Sequence, residues 1–114
     1  MRLGIDIGST TVKIAVIDGN SNIVFSDYKR HFANIQETLA DLIHEAIETC
    51  GNVNVAPVIT GSGALSISKV LNIPFVQEVI AVSTALKTFA PETDVAIELG
   101  GEDAKIIYFT NGIE

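Results

Sequence analysis

The sequence predicts an α/β domain: a mixed sheet that opens with three antiparallel strands and is flanked by helices. Three observations predict it. Three short strand-like runs precede the first helical pattern. Strand and helix patterns then alternate through the middle of the chain, which implies a parallel portion in the sheet. Finally, one phrase occurs twice. Gly4-Ile5-Asp6-Ile7-Gly8-Ser9-Thr10-Thr11-Val12-Lys13-Ile14 recurs as Ala96-Ile97-Glu98-Leu99-Gly100-Gly101-Glu102-Asp103-Ala104-Lys105-Ile106, with position 6 answering to 98 and position 13 to 105. Each copy is an apolar strand carrying one carboxylate, a glycine turn, small polar residues, a lysine and a second apolar strand.

Arg2–Ile7 reads as a buried strand and Thr11–Asp18 as its hairpin partner, rich in Val and Ile. Asp18-Gly19-Asn20 is a turn signal, and Asn22–Lys29 is the third strand. Asn34 with Glu37 three residues on has the form of a capping box. Ile35, Leu39, Leu42, Ile43, Ala46 and Ile47 follow at helical spacing, and Gly51 stands where a helix-ending glycine belongs. Val53–Thr60 is a fourth strand, broken by Gly61-Ser62-Gly63. Ala64–Leu71 is a short helix closed by Asn72 and Pro74, Phe75–Val76 a brief strand, and Gln77–Phe89 a second long helix. Thr93–Leu99 and Ala104–Phe109 form the repeated hairpin, with a turn at Thr110-Asn111-Gly112. An isolated hairpin is marginal in water. The second copy therefore reads as the start of another unit, and the chain as the N-terminal part of a longer protein.

At 114 residues with 47% apolar content the chain can bury a core. Seven basic against fourteen acidic residues give a net charge of −7 and no cationic stripe, which argues against a nucleic-acid partner. No apolar run approaches the roughly 18 residues of a membrane span, and the opening residues do not read as a signal peptide. Cys50 is the only cysteine, which excludes an internal disulfide and fits a reducing, cytoplasmic setting.

The first turn has the chemistry of a phosphate site. Gly8 permits a tight turn and a close approach. Amide groups from Gly8 to Thr11 can point at phosphate oxygens, and Ser9, Thr10 and Thr11 add hydroxyls. Asp6 ends the strand beside them and can hold Mg²⁺ through water. Lys13 shares a strand face with Thr11 and can neutralise phosphate charge. Two such hairpins suggest two half-sites for a nucleotide. Neither a Walker A loop nor a G-x-G-x-x-G turn is present. Glu78 reads as a first-turn acid favoured by the helix dipole or as a polar group facing a cleft. Gly61-Ser62-Gly63 reads as a plain turn or as an anion-facing junction. His31 and His44 have no metal partner at useful spacing.

The first phrase resembles the first phosphate motif of the actin-like ATPase superfamily, and Ile97-Glu98-Leu99-Gly100-Gly101-Glu102-Asp103-Ala104-Lys105 resembles the second. The wording is similar to one branch, the ATP-dependent activators of 2-hydroxyacyl-CoA dehydratases with the related benzoyl-CoA reductase ATPase subunits. Ile59-Thr60-Gly61-Ser62-Gly63 and Gln77-Glu78-Val79-Ile80-Ala81 also resemble that branch.

The resemblance implies a ribonuclease-H-like fold, with residues 1–92 as a first subdomain and 93–114 as the start of a second. It implies ATP or ADP with Mg²⁺ in a cleft, and a homodimeric whole protein that delivers an electron from a [4Fe-4S] cluster to a dehydratase as ATP is hydrolysed. Asp6 would organise Mg²⁺, and Asp6 and Glu98 would be the catalytic carboxylates. Gly8, Ser9, Thr10, Thr11 and Lys13 would clasp phosphate, opposed by Gly100, Gly101, Asp103 and Lys105. Position 98 is Glu where the family has Asp, and Val82 stands where it has His. The family's cluster cysteines lie beyond residue 114, and Cys50 is no substitute. A small-molecule kinase of the same superfamily and a non-catalytic nucleotide switch or assembly module are the competing readings.

Overall fold

The computed structural model describes residues 1–99 and 104–109. The predicted turn at Thr110-Asn111-Gly112 lies outside the described residues, as do Gly100, Gly101 and Asp103. The chain divides into two compact units, 1–75 and 76–114.

In the first unit β1 (Arg2–Ile7), β2 (Thr11–Ile17) and β3 (Ile23–Arg30) form an antiparallel meander. The helix α1 (Ile35–Cys50) then leads to β4 (Ala56–Thr60), which pairs parallel to β1. The sheet order is β3-β2-β1-β4, the mixed sheet expected. Alternation along the strands puts Ile5, Ile7, Val12, Ile14, Val16 and Ile59 on one face, where Leu39, Leu42 and Ala46 of α1 join them in the core. Ile7, Leu42, Ile59 and Val12 are fully buried; each large one contributes about 1.5–3 kcal/mol. Lys29, on the core side of β3, ties that strand to α1 through Glu45, with Nζ 2.8 Å from Oε1.

Two local expectations are corrected. The capping box does not form. Phe32 and Ala33 take left-handed φ values of 46° and 66°, and the chain enters α1 with Asn34 at φ −101°, ψ 63° and no side-chain cap. Thr38 Oγ1 instead donates to Asn34 O at 2.8 Å. The fourth strand begins at Ala56 rather than Val53, because its partner β1 begins at Arg2, and Arg2 pairs with Ala56. Gly51 ends α1 with φ 79° as expected, its N–H donating to Ile47 O at 2.8 Å. The helix α2 (Leu65–Leu71) closes on Asn72 in the left-handed region. The brief strand is reduced to a single parallel bridge between Ile59 and Phe75.

The β2–β3 turn is organised by Asp18, whose Oδ1 accepts from the amides of Asn22 at 3.0 Å and Asn20 at 2.9 Å. These bonds, Asn22 first, hold the Asp18 carboxyl below its ordinary value of 3.8. A carboxyl depressed by folding stabilises above its unfolded value and loses that contribution as pH falls through the folded one. The melting-temperature gap between wild type and Asp18→Ala is therefore expected to shrink as pH drops from about 6 to below the ordinary aspartate value. A gap constant with pH would contradict the role given to the carboxylate.

The second unit holds α3 (Glu78–Phe89) and a two-stranded sheet of β5 (Val95–Leu99) and β6 (Ala104–Tyr108). The repeat survives as register. Asp6 pairs with Lys13 across β1–β2, and Glu98 with Lys105 across β5–β6. Among the described residues no helix is long and apolar enough to cross a membrane.

Candidate functional site

The site residues of the first unit gather at one end of the sheet. Since β1 and β4 run parallel, the turn after β1 and the loop after β4 leave the same edge, the position where open α/β sheets bind ligands. The end of β3 arrives there too, because Arg30 pairs with Thr11. Across the sheet, Tyr28 pairs with Lys13, Lys13 with Asp6, and Asp6 with Thr60. Strand alternation places this row on the face opposite the core. Lys13 is exposed and Asp6 half-buried.

The turn from Gly8 to Thr11 has a definite polarity. Its Thr10 and Thr11 carbonyls are tied down, as is the Ile7 carbonyl just before it: Ile7 O accepts from Gly63 N–H at 3.0 Å, Thr10 O from His31 N–H at 3.0 Å, and Thr11 O from Gly8 N–H at 2.9 Å. Gly8 O lies 3.0 Å from His31 Nε2. The amides of Ser9 and Thr10 meet no acceptor among the described residues. A loop with the carbonyls on either side of Ser9 bonded to the protein and the Ser9 and Thr10 amides unspent is suited to an anion.

Gly8 is not required by the backbone, in contrast to the sequence argument. It lies outside the left-handed region, and a Cβ there would meet Thr11 O at an ordinary 3.6 Å. The obligatory glycine is Gly61, at φ 114°, where a Cβ would stand 2.1 Å from Ile7 O. Gly61-Ser62-Gly63 thus braces the end of β1.

Sequence reasoning passed over Thr60 and His31. Thr60 Oγ1 is buried with no hydrogen-bond partner among the described residues, at the position paired with Asp6. Its signal was its place at the end of a strand, directly before the glycine loop. The His31 ring is buried against the turn, while Arg30 stacks over Phe32 with its guanidinium carbon 5.2 Å from the ring centroid.

In the second unit Lys105 Nζ donates to Glu78 Oε2, and Glu98 is its cross-strand neighbour. Glu78, read from the sequence as a first-turn acid or a cleft-facing group, is a lysine partner here. Gly100, Gly101 and Asp103 lie outside the described residues.

An apolar groove of about 280 Å³ between α1 and α2 is lined by Leu39, Ile43, Ile67 and Val70 among others. It carries no titratable group and offers nothing to a phosphate.

No family model matches the chain. Over 98% of its length it matches the (R)-2-hydroxyglutaryl-CoA dehydratase component A of Acidaminococcus fermentans, at a TM-score of 0.82 and 24% identity, covering 44% of that chain. It likewise matches the activator of the 2-hydroxyisocaproyl-CoA dehydratase from Clostridium difficile, solved with bound ADPNP. There the TM-score is 0.79 and the identity 23%, over 96% of this chain and 41% of that one. The chain has the actin-like ATPase fold. In sequence it is 33% identical over 107 residues to an uncharacterized protein of Methanocaldococcus jannaschii. That match takes in 94% of this chain and 42% of the relative, so the chain spans about two fifths of its relative's length.

Proposed function

We propose that this chain is the ATP-binding N-terminal part of an ATPase that activates a 2-hydroxyacyl-CoA dehydratase, or a related CoA-thioester reductase, by ATP-driven electron transfer. The observation that carries the nucleotide reading is the polarity of the Gly8–Thr11 turn, beside the Asp6–Lys13 pair. The likeness to two dehydratase activators, one solved with ADPNP, supports the choice of branch.

The donor set fits Mg²⁺ bound together with phosphate. Asp6 and the unpartnered Thr60 Oγ1 are oxygen donors at adjacent register positions. No three acidic, His or Cys side chains are grouped to hold a metal among the described residues. Mg²⁺ keeps much of its water and suits one carboxylate plus phosphate oxygens. When bound it would neutralise phosphate charge. Gly8, Ser9, Thr10, Thr11 and Lys13 would hold the phosphates, and Gly100, Gly101, Asp103 and Lys105 would supply the second half-site, with Glu98 as its carboxylate. A [4Fe-4S] cluster needs several thiolates; Cys50 alone does not supply them.

Titration of the ¹⁵N-labelled chain with Mg-ADP and Mg-ADPNP tests the nucleotide reading. Shifts are expected at Gly8, Ser9, Thr10 and Thr11, and Asp6→Ala is expected to weaken them. A turn that stays silent at millimolar nucleotide would refute it. Turnover of Mg-ATP by the chain alone is expected to be negligible, because phosphoryl chemistry depends on positioning from both sides. For a longer protein containing this segment, iron and sulfide analysis after anaerobic purification tests the activator branch: iron-free protein would count against it.

A further inference from the structure

We propose that His31 is the positioning residue of the phosphate turn, the group that fixes its Gly8 and Thr10 carbonyls inward and so leaves its amide edge to an anion. The inference rests on the nucleotide reading of that turn. His31 is 7% exposed. Its Nδ1 lies 3.0 Å from the amide of Ala33, which can only donate, so Nδ1 carries no proton. Nε2 therefore carries the hydrogen of the neutral ring and donates it to Gly8 O at 3.0 Å. The backbone N–H of the same residue donates to Thr10 O at 3.0 Å. One residue thus pins the carbonyls on either side of Ser9, and either of them turned outward would repel a phosphate.

The loop that carries the ring adds an independent observation. Phe32 and Ala33 are both left-handed, at φ 46° and 66°. Two consecutive non-glycine residues hold that conformation only where the surroundings over-determine it. What it secures is the Ala33 N–H aimed at Nδ1, and that bond selects the tautomer able to donate to Gly8 O. The strain beside the turn therefore has a product: a defined donor against a defined carbonyl.

The test uses NMR on the same chain. Long-range ¹H–¹⁵N correlation through the His31 ring is expected to show the neutral tautomer protonated at Nε2. His31→Leu is expected to lower the ligand-free order parameters of Ser9 and Thr10 from the rigid range near 0.85 toward about 0.6, and to weaken Mg-ADP binding about tenfold. His31→Gln keeps an amide that can donate to Gly8 O and is expected to restore most of both. A purely structural role would leave loop order and affinity unchanged in folded His31→Leu, and that result would overturn the proposal. So would a ring protonated at Nδ1. If His31→Leu does not fold, the wild-type tautomer and His31→Gln decide the matter, and a folded Gln variant with a loose turn would count against it. A turn loosened by His31→Leu in a protein that ignores Mg-ADP would uphold the role of His31 and overturn the nucleotide reading.

Discussion

Gly61→Ala is expected to cost about 4 kcal/mol or more, enough to leave a small domain largely unfolded. The added Cβ would lie 2.1 Å from Ile7 O, 2.6 Å from Ile7 C and 2.7 Å from Ile7 N, all backbone atoms. No rotamer relieves such a contact, and φ of 114° is itself closed to alanine. Relief requires moving either the fully buried end of β1 or the loop that braces it. Gly63→Ala is the control. There the nearest atom is Ile7 Cγ2 at 3.1 Å, the end of a side chain, so a cost of about 1 kcal/mol is expected. Denaturant midpoints of the two variants check this. A Gly61→Ala protein as stable as Gly63→Ala would show that the loop does not press on β1.

Gly8→Ala is expected to do the reverse: stability within about 0.5 kcal/mol of wild type, and Mg-ADP affinity at least about tenfold weaker. Inside the protein the new Cβ meets only Thr11 O at 3.6 Å and Thr11 Oγ1 at 3.9 Å, ordinary contacts. The remaining way for a methyl group to matter is through what approaches the turn from outside. Parallel thermal melts and nucleotide titrations separate the two effects. Unchanged affinity would refute the placement of phosphate at Gly8. Large destabilisation would mean that the turn itself needs the glycine.

Much of the first unit was legible because its signals are local. Alternating Val and Ile in 11–17 specify a strand with one buried face, and that face is buried. The duplicated phrase was legible down to register, since pairing carboxylate with lysine needs only a hairpin of fixed length. What escaped was non-local. His31 lies 23 residues from the carbonyl it meets, and nothing in its neighbourhood announces the contact. Thr60 gains meaning only when the parallel pairing sets it beside Asp6. The capping box failed because its pattern assumes an extended entry to the helix, whereas Phe32 and Ala33 turn left-handed just before it. Gly8 and Gly61 looked alike as letters; only backbone angles separate the one a ligand would need from the one the fold needs.

The common start of β1 and β4 sorts the loops of the first unit into two sets. The turns at 8–10, 31–34 and 61–64 share one end of the sheet, and those at 18–22 and 51–55 share the other with Met1, whose carbonyl accepts from Ala56 N–H. An engineer can therefore treat the second end as the handle. A fluorophore, an affinity tag or an inserted peptide placed at the N-terminus or between Gly51 and Val55 leaves the opposite rim untouched. Immobilisation through that handle presents the Gly8–Thr11 turn to solution.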